Sequence, residues 1–298
     1  MTLLVQLVIS GLSLGAVYAL LALGFVVVFK ASGVVNFAHP AFLMIGAYVI
    51  ARLAAGVLPF AVALLAGVAA AGAAALLTER LLVRRMNGRS IIAITIMTLG
   101  VDIIVETEIV RRIGIDAYVP VHDPWGDRLV RLGAVVVPQS RLAGLLACAA
   151  FVVGFLVWQR YSRWGVAMRA VAEDAPTAAL MGVRRARVSA LAWTLAGLLA
   201  AVAGLFLVVF PSPGLQPVTS SVALRAFPAA IIGGLDSTTG AVAGGAIVGI
   251  AEALAVGYAS HLSFLGTGFP GVLPYLVMVV VLLARPAGLF GGREMHRV

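Results

Sequence analysis

The chain is poor in the residues on which most soluble chemistry depends. Of its 298 residues one is cysteine, 12 are acidic and only 11% are charged, whereas a soluble globular domain is about one quarter charged. The lone Cys148 excludes an internal disulfide and any cysteine-rich metal site, and within its apolar run it reads as a small buried hydrophobe. Lys30 is the sole lysine and stands between Phe29 and Ala31. A P-loop needs Gly-Lys-Ser/Thr to hold phosphates, so the chain does not hydrolyse ATP by that mechanism on its own. None of the four histidines, His39, His122, His261 and His296, has the partners of a zinc-protease helix. The chain is therefore not expected to be an enzyme, and no metal or cofactor is expected to bind it.

What is present is hydrophobicity. Apolar residues make up 62% of the chain and the mean hydropathy is +1.10. Runs of about 20 apolar residues recur, each long enough to cross a hydrocarbon core of about 30 Å as helix. The 33 glycines and abundant alanines favour closely packed helices, since barrel strands would alternate polar with apolar. The expected fold is all-α, one polytopic membrane domain over residues 1–298 with about eight or nine transmembrane helices. Spans are expected near 3–29, 38–56, 58–79, 91–111, 142–159, 189–210, 219–235, 240–258 and 270–284. No basic residue precedes the first apolar run, so the first helix is expected to stay rather than be cleaved.

The net charge of +9 does not point to nucleic acid, because the basic residues gather at helix ends. Placing the loops 80–90 and 161–188 in the cytoplasm leaves Arg52, Arg111, Arg112, Arg128, Arg131 and Arg141 outside and Arg225 within a span. Every other Lys and Arg then falls inside, the bias expected of a multi-pass membrane protein with its N-terminus outside and C-terminus in the cytoplasm. The external loop 114–140, with Pro120, Pro124, Pro138, Asp116, Asp123 and Asp127, reads as an extended, capped cover.

Ionisable residues inside spans suggest function by default. Asp102 and Glu106 are four apart and share a helix face, with Glu108 on another side. They fit either a proton relay or, as the sequence favours, ion pairs with Arg111 and Arg112 near the outer surface. Glu252 and Arg225 are deeper candidates, able to pair with each other or with a partner subunit.

The segment from Tyr161 to Ser189 is a polar island between two apolar spans. Within it Asp174 suits an N-cap, Pro176 a first turn and Gly182 a C-terminal stop, which predicts a helix of about two turns from Ala175 to Met181. A helix so short must be held by packing, against a partner or on lipid headgroups through its arginines. Ala178, Leu180 and Met181 exceed the apolar content that a solvated loop needs.

This island and the helix after it, AVAEDAPTAALMGVRRARVSALAWTLAGLLAAVAG, resemble the cytoplasmic loop and following helix of LivH-type permeases of branched-chain amino-acid ABC importers. The opening GLSLGAVYALLALGFVVVFKASGVVNFAHPAFLMIGAYV is similar to that family's first two helices, including Asn-Phe-Ala-His at Asn36, Phe37, Ala38 and His39. LRAFPAAIIGGLDSTTGAVAGGAIVGIAEAL resembles its glycine-rich helical pair around Gly233, Gly234, Gly240, Gly244 and Gly249. These blocks follow the family's order over nearly the whole chain.

The resemblance implies the ten-helix ABC importer permease fold without its first helix. It also implies a permease subunit of an ATP-driven importer for branched-chain or related amino acids. The implied partners are a second, LivM-like permease subunit, two cytoplasmic ABC ATPase subunits that use ATP and Mg, an extracytoplasmic substrate-binding protein, and membrane lipid. Glu173, Asp174, Ala178, Met181 and Gly182 would couple the chain to the ATPase. Asn36, His39, Arg225 and Glu252 are translocation-path candidates, and Asn36 and His39 equally suit the capping of a helix break. The chain departs from the pattern at Pro40 and Ala41, where many relatives have glycine followed by an acidic residue, and this leaves the substrate open. Gly11 with Gly15, Gly240 with Gly244, and Gly245 with Gly249 form small-x-x-x-small pairs that permit close helix packing. The competing reading is a self-sufficient ion-coupled secondary transporter or channel for small polar solutes, using Asp102, Glu106 or Glu252.

Overall fold

A computed structural model describes residues 2–55, 58–86, 88–114, 123–126, 128–132, 135–210, 214–261, 264, 266 and 268–292. Of the residues named above, Asp116, Pro120, His122, Asp127 and His296 lie outside these, as do Arg293 and Arg297 among the basic residues counted inside. The helices are α1 (Thr2–Ser32), α2 (His39–Ala54), α3 (Phe60–Thr78), α4 (Ile91–Ile113), α5 (Gln139–Tyr161), α6 (Arg163–Glu173), α7 (Ala175–Leu180), α8 (Arg185–Leu207), α9 (Thr219–Leu224), α10 (Ala226–Gly233), α11 (Thr238–Gly257) and α12 (Phe269–Ala284). Among the described residues α1, α3 with its continuation to Met86, α5, α8 and α11 are long and apolar enough to cross a membrane. The protein is an all-α, multi-pass membrane protein.

Of these five spans α1 and α8 are the most buried and form the centre. α1 packs on α11, α8 and α5, while α8 packs on α3 and α2. Tyr18, Phe25, Phe42 and Trp193 are the largest side chains of this core. Glycine sets how closely α1 and α11 approach. A methyl on Gly11 would stand 2.7 Å from Ile250 Cα and one on Gly15 3.0 Å from Ala246 Cα, well inside the contact distance of about 3.5–4.0 Å between carbons. Gly245 and Gly249 supply the facing surface on α11. Gly240 and Gly244 use another side of α11, where they abut Gly233 and Ala229 of α10. The small-residue pairs thus serve two interfaces and clamp α11 between its neighbours.

Three expectations need correction. The span expected at 219–235 is broken at Arg225 into α9 of 6 residues and α10 of 8. Its cause is Pro228, which lacks the N–H that would bind the Leu224 carbonyl one turn earlier. At 1.5 Å per residue the two helices together reach about 21 Å, short of a hydrocarbon core of about 30 Å. The external loop holds an antiparallel hairpin, β1 (Leu129–Leu132) with β2 (Val135–Pro138), and Val130 faces Val137. The run Val135-Val136-Val137 has high strand propensity, which the reading of an extended cover overlooked. The polar island holds two helices, α6 and α7, rather than one.

Candidate functional site

The island is built on α6. Ser162 caps its start by accepting from the Gly165 N–H at 2.9 Å, and Gly165, Met168 and Val171 form its buried stripe. Arg169 folds back so that its guanidinium donates to the Gln159 and Arg160 carbonyls at the end of α5, the latter at 3.2 Å. These carbonyls are among the last of α5, which have no partner within the helix. α6 is thereby fixed to α5, and it packs also on α1 and α8.

α7 follows after the single residue Asp174, whose Oδ1 accepts from the Thr177 N–H at 3.1 Å and whose Oδ2 accepts from the Thr177 hydroxyl at 2.6 Å. The Thr177 hydroxyl and then its N–H hold the Asp174 carboxyl below the ordinary carboxylate range. At the other end Val183 N–H donates to the Ala178 carbonyl and Gly182 N–H to the Ala179 carbonyl, both at 3.0 Å. This pair of bonds is a Schellman stop, and Gly182 has the positive φ of +84° that it requires. α7 is capped at both ends by its own sequence.

Its two faces differ. Ala178 packs into the chain's own core, so it is not free to meet a partner, contrary to the expectation that grouped it with the docking residues. Leu180 and Met181 are 87% and 81% exposed, and Glu173, Asp174 and Gly182 are exposed beside them. The end of α3 is tied in from the side. It continues as a π-helical turn, Glu79–Val83, then a 3-10 turn, Arg84–Met86, and Arg84 bridges the buried Glu79 at 3.0 Å and the Ala186 carbonyl of α8 at 3.1 Å.

Within the bundle the structure unites Arg225 and Glu252. The Arg225 guanidinium, at the break between α9 and α10, is ion-paired to Glu252 Oε1 of α11, and the Tyr18 hydroxyl of α1 donates to Oε2 at 2.7 Å. Tyr18 carried no sequence signal, because a tyrosine in an apolar helix reads as core until its hydroxyl partner is known.

Asn36 and His39 lie at the turn from α1 to α2. Asn36 Oδ1 accepts from the Ala38 N–H at 3.0 Å, Thr98 Oγ1 accepts from the Phe37 N–H at 3.0 Å, and the Asn36 carbonyl receives the His39 N–H at 3.4 Å. Asn36 therefore closes an Asx turn just ahead of α2, whose N-cap, Ala38, has no side-chain cap. The His39 ring lies tilted against Phe25, centroids 4.7 Å apart, over the bare Cα of Gly24. On α4 the expected pairing of Asp102 and Glu106 with the arginines does not occur. Arg111 and Arg112 both bind Glu108, at 2.8 and 2.7 Å, because three- and four-residue spacings bring them to its face. Asp102 instead points inward and lies opposite the Ala41 N–H in the first turn of α2.

Comparison with known proteins agrees with this architecture. The family model for the branched-chain amino acid transport system permease component matches residues 7–284. The high-affinity branched-chain amino acid transport system permease protein LivH of Escherichia coli strain K12 is 32% identical over 314 aligned residues, covering 98% of this chain and 97% of that protein. BraD of Pseudomonas aeruginosa, described by the same words, is 27% identical over 98% of this chain and 97% of its own length. A probable branched-chain amino acid transport permease protein LivH of Methanocaldococcus jannaschii is 30% identical over 91% of this chain and 88% of its own. No solved structure matches. The chain belongs to the family of branched-chain amino acid transport system permease components.

Proposed function

We propose that this chain is a transmembrane permease subunit of an ATP-driven importer for branched-chain or related amino acids. It works beside a second permease subunit, with two cytoplasmic ABC ATPases that consume ATP and Mg and an extracytoplasmic protein that delivers the substrate. The chain sits in the bacterial inner membrane with its N-terminus outside and α6 and α7 in the cytoplasm, the side to which the basic excess assigns them. The observation that carries the reading is α7. It is capped at both ends, seated on the bundle through Ala178, and presents Leu180 and Met181 to solvent. Two exposed large apolar side chains on a rigid polar platform suit an anchor for a protein partner. Glu173, Asp174 and Gly182 shape that anchor, and Asn36, His39, Arg225 and Glu252 belong to the translocation path or its gate.

The test is reconstitution of the chain with its partner subunits in proteoliposomes. Leu180→Asp with Met181→Asp, or Gly182→Pro, is expected to abolish ATP-dependent leucine uptake while leaving membrane insertion unchanged. Normal uptake in those variants overturns the anchor. Uptake by this chain alone without ATP overturns the importer reading in favour of an ion-coupled transporter.

A further inference from the structure

Buried polar groups in folded proteins almost always find a hydrogen-bond partner, so the exceptions need a reason. Asn36 Nδ2, both His39 ring nitrogens and Asp102 Oδ1 are all buried without one among the described residues, and all belong to the start of α2 or to α4 beside it. His39 turns toward α1. Asn36 and Asp102 remain at the first turn of α2, where Asn36 Oδ1 holds the Ala38 N–H and Asp102 lies opposite the Ala41 N–H. Thr98, one turn before Asp102 on α4, holds the Phe37 N–H between them.

This place lies midway along α4. Asp102 is the twelfth residue of the 23 in α4, about 16 Å from either end at 1.5 Å per residue. α2 runs alongside α4 in the same direction, and Arg52 near its end reaches the Arg112 carbonyl at 3.4 Å. From Ala41 to Ala54 the helix rises about 20 Å, so its start is level with the middle of α4. The N–H groups at this helix start are met by Thr98, Asn36 and Asp102, and its positive dipole end faces the Asp102 carboxylate. Among the described residues the carboxylate of Asp102 has no cation to balance it, since Arg111 and Arg112 hold Glu108 and Arg225 holds Glu252. What is left is one unpaired amide donor and one unpaired carboxylate acceptor at the same helix start.

An amino acid's head group supplies the two missing partners, a carboxylate for the donor and an ammonium for the acceptor. Phe37 adds an apolar wall, its ring tilted against Phe227 with centroids 5.2 Å apart, and Phe227 also meets Phe25 at 5.4 Å. We propose that Asn36 and Asp102 bind the head group of the amino acid in transit, Asp102 accepting from its ammonium and the Asn36 amide donating to its carboxylate. The proposal rests on the importer reading above and names where that substrate pauses. Both residues are occluded in this conformation. Since α4 meets the other helices chiefly through α2 and exposes Ile92, Ile96, Ile103 and Ile104 elsewhere, its displacement opens the site without disturbing the core.

The test uses the reconstituted complex with its binding protein and radiolabelled leucine. Asp102→Asn and Asn36→Asp each remove one partner while keeping shape, and Asn36→Asp keeps the Oδ1 cap on Ala38. A charge-assisted hydrogen bond is worth enough that each is expected to lower uptake about 10-fold or more, with ATP hydrolysis retained and exposed Thr107→Ala unchanged. The double variant Asn36→Asp with Asp102→Asn exchanges donor and acceptor and is expected to recover part of the loss. If a bridging water alone occupies the site, the amide carbonyl introduced by Asp102→Asn accepts from it equally well and that variant stays within about twofold of wild type, which overturns the proposal. A uniform loss of folded protein in Asp102→Asn moves the decision to Asn36→Asp, where full uptake likewise overturns it. Absence of ATP-dependent leucine uptake in the wild-type complex would instead sink the importer reading itself.

Discussion

A single methyl at Gly245 tests whether glycine sets the seam between α1 and α11. There a Cβ would stand 2.5 Å from Ala19 N and 2.7 Å from Ala19 Cα, backbone atoms that no rotamer can move aside. Carbon atoms rest at about 3.5–4.0 Å, so Gly245→Ala must part the two helices by about 1 Å at that point. Gly11, Gly15 and Gly249 line the same seam, and the separation loosens every close approach along it. Overpacking of this kind costs about 1–3 kcal/mol, offset by at most about 1 kcal/mol from the better helix propensity of alanine. Gly154→Ala in α5 is the control, because its Cβ meets nothing within 4 Å. The assay is thermal unfolding of the purified protein in detergent, where 1 kcal/mol corresponds to a midpoint shift of about 2–4 °C. Gly245→Ala is expected to melt several degrees below wild type and Gly154→Ala at or above it. Equal midpoints for the two variants would refute the argument that backbone contact, not side-chain packing, defines this interface.

Breaking the Arg225–Glu252 pair by Arg225→Met leaves a buried carboxylate with only Tyr18 as partner, and a loss of about 3–5 kcal/mol is expected in equilibrium unfolding; Arg225→Met with Glu252→Leu should recover most of it, and additive losses would count against the pair. Asp174→Ala removes the N-cap of α7 and should raise hydrogen exchange at Thr177 while leaving the transmembrane helices protected. Because folding lowers the Asp174 pKa, the cap is fully present above the unfolded value of about 3.9 and is lost as pH falls through the lower folded value. Protection of α7 should therefore hold from neutral pH down to about 5 and decline only at more acidic pH, and a decline centred near pH 6 would contradict the assignment. Arg169→Met frees α6 from the end of α5, so partner ATPases should still bind but uptake per ATP hydrolysed should fall; an unchanged ratio would show that α6 carries no force.

The spans were legible because their signal is an excess over solvent-like composition that needs no partner to be recognised. Caps were legible for a similar reason, since Asp174 and Gly182 act on backbone groups within three or four residues. α6 was missed although seven of its 11 residues are apolar, because Arg163, Arg169 and Glu173 made the segment read as part of a polar loop. Gly165, Met168 and Val171 make a stripe only once α1, α5 and α8 lie beneath it. The break at Arg225 had a visible cause in Pro228, but proline in an apolar run permits a kink as readily as a stop, and the length needed to span was the observation that decided.

Polar pairing in the bundle followed a different rule. Sequence spacing on α4 offered Arg111 and Arg112 to three carboxylates, and Glu108 took both because it lies on their own face. That left Asp102 to be oriented by the tertiary packing of α2, a helix far from it in sequence. Arg225 and Glu252 likewise lie 27 residues apart and meet only because glycines on α11 bring α10 against it. The same glycines that made the chain resemble a packed bundle thus determine which of its few charges are neutralised. Asp102, buried on α4 and supplied with a cation by neither local spacing nor this packing, is for that reason the carboxylate to which the proposed head-group contact is assigned.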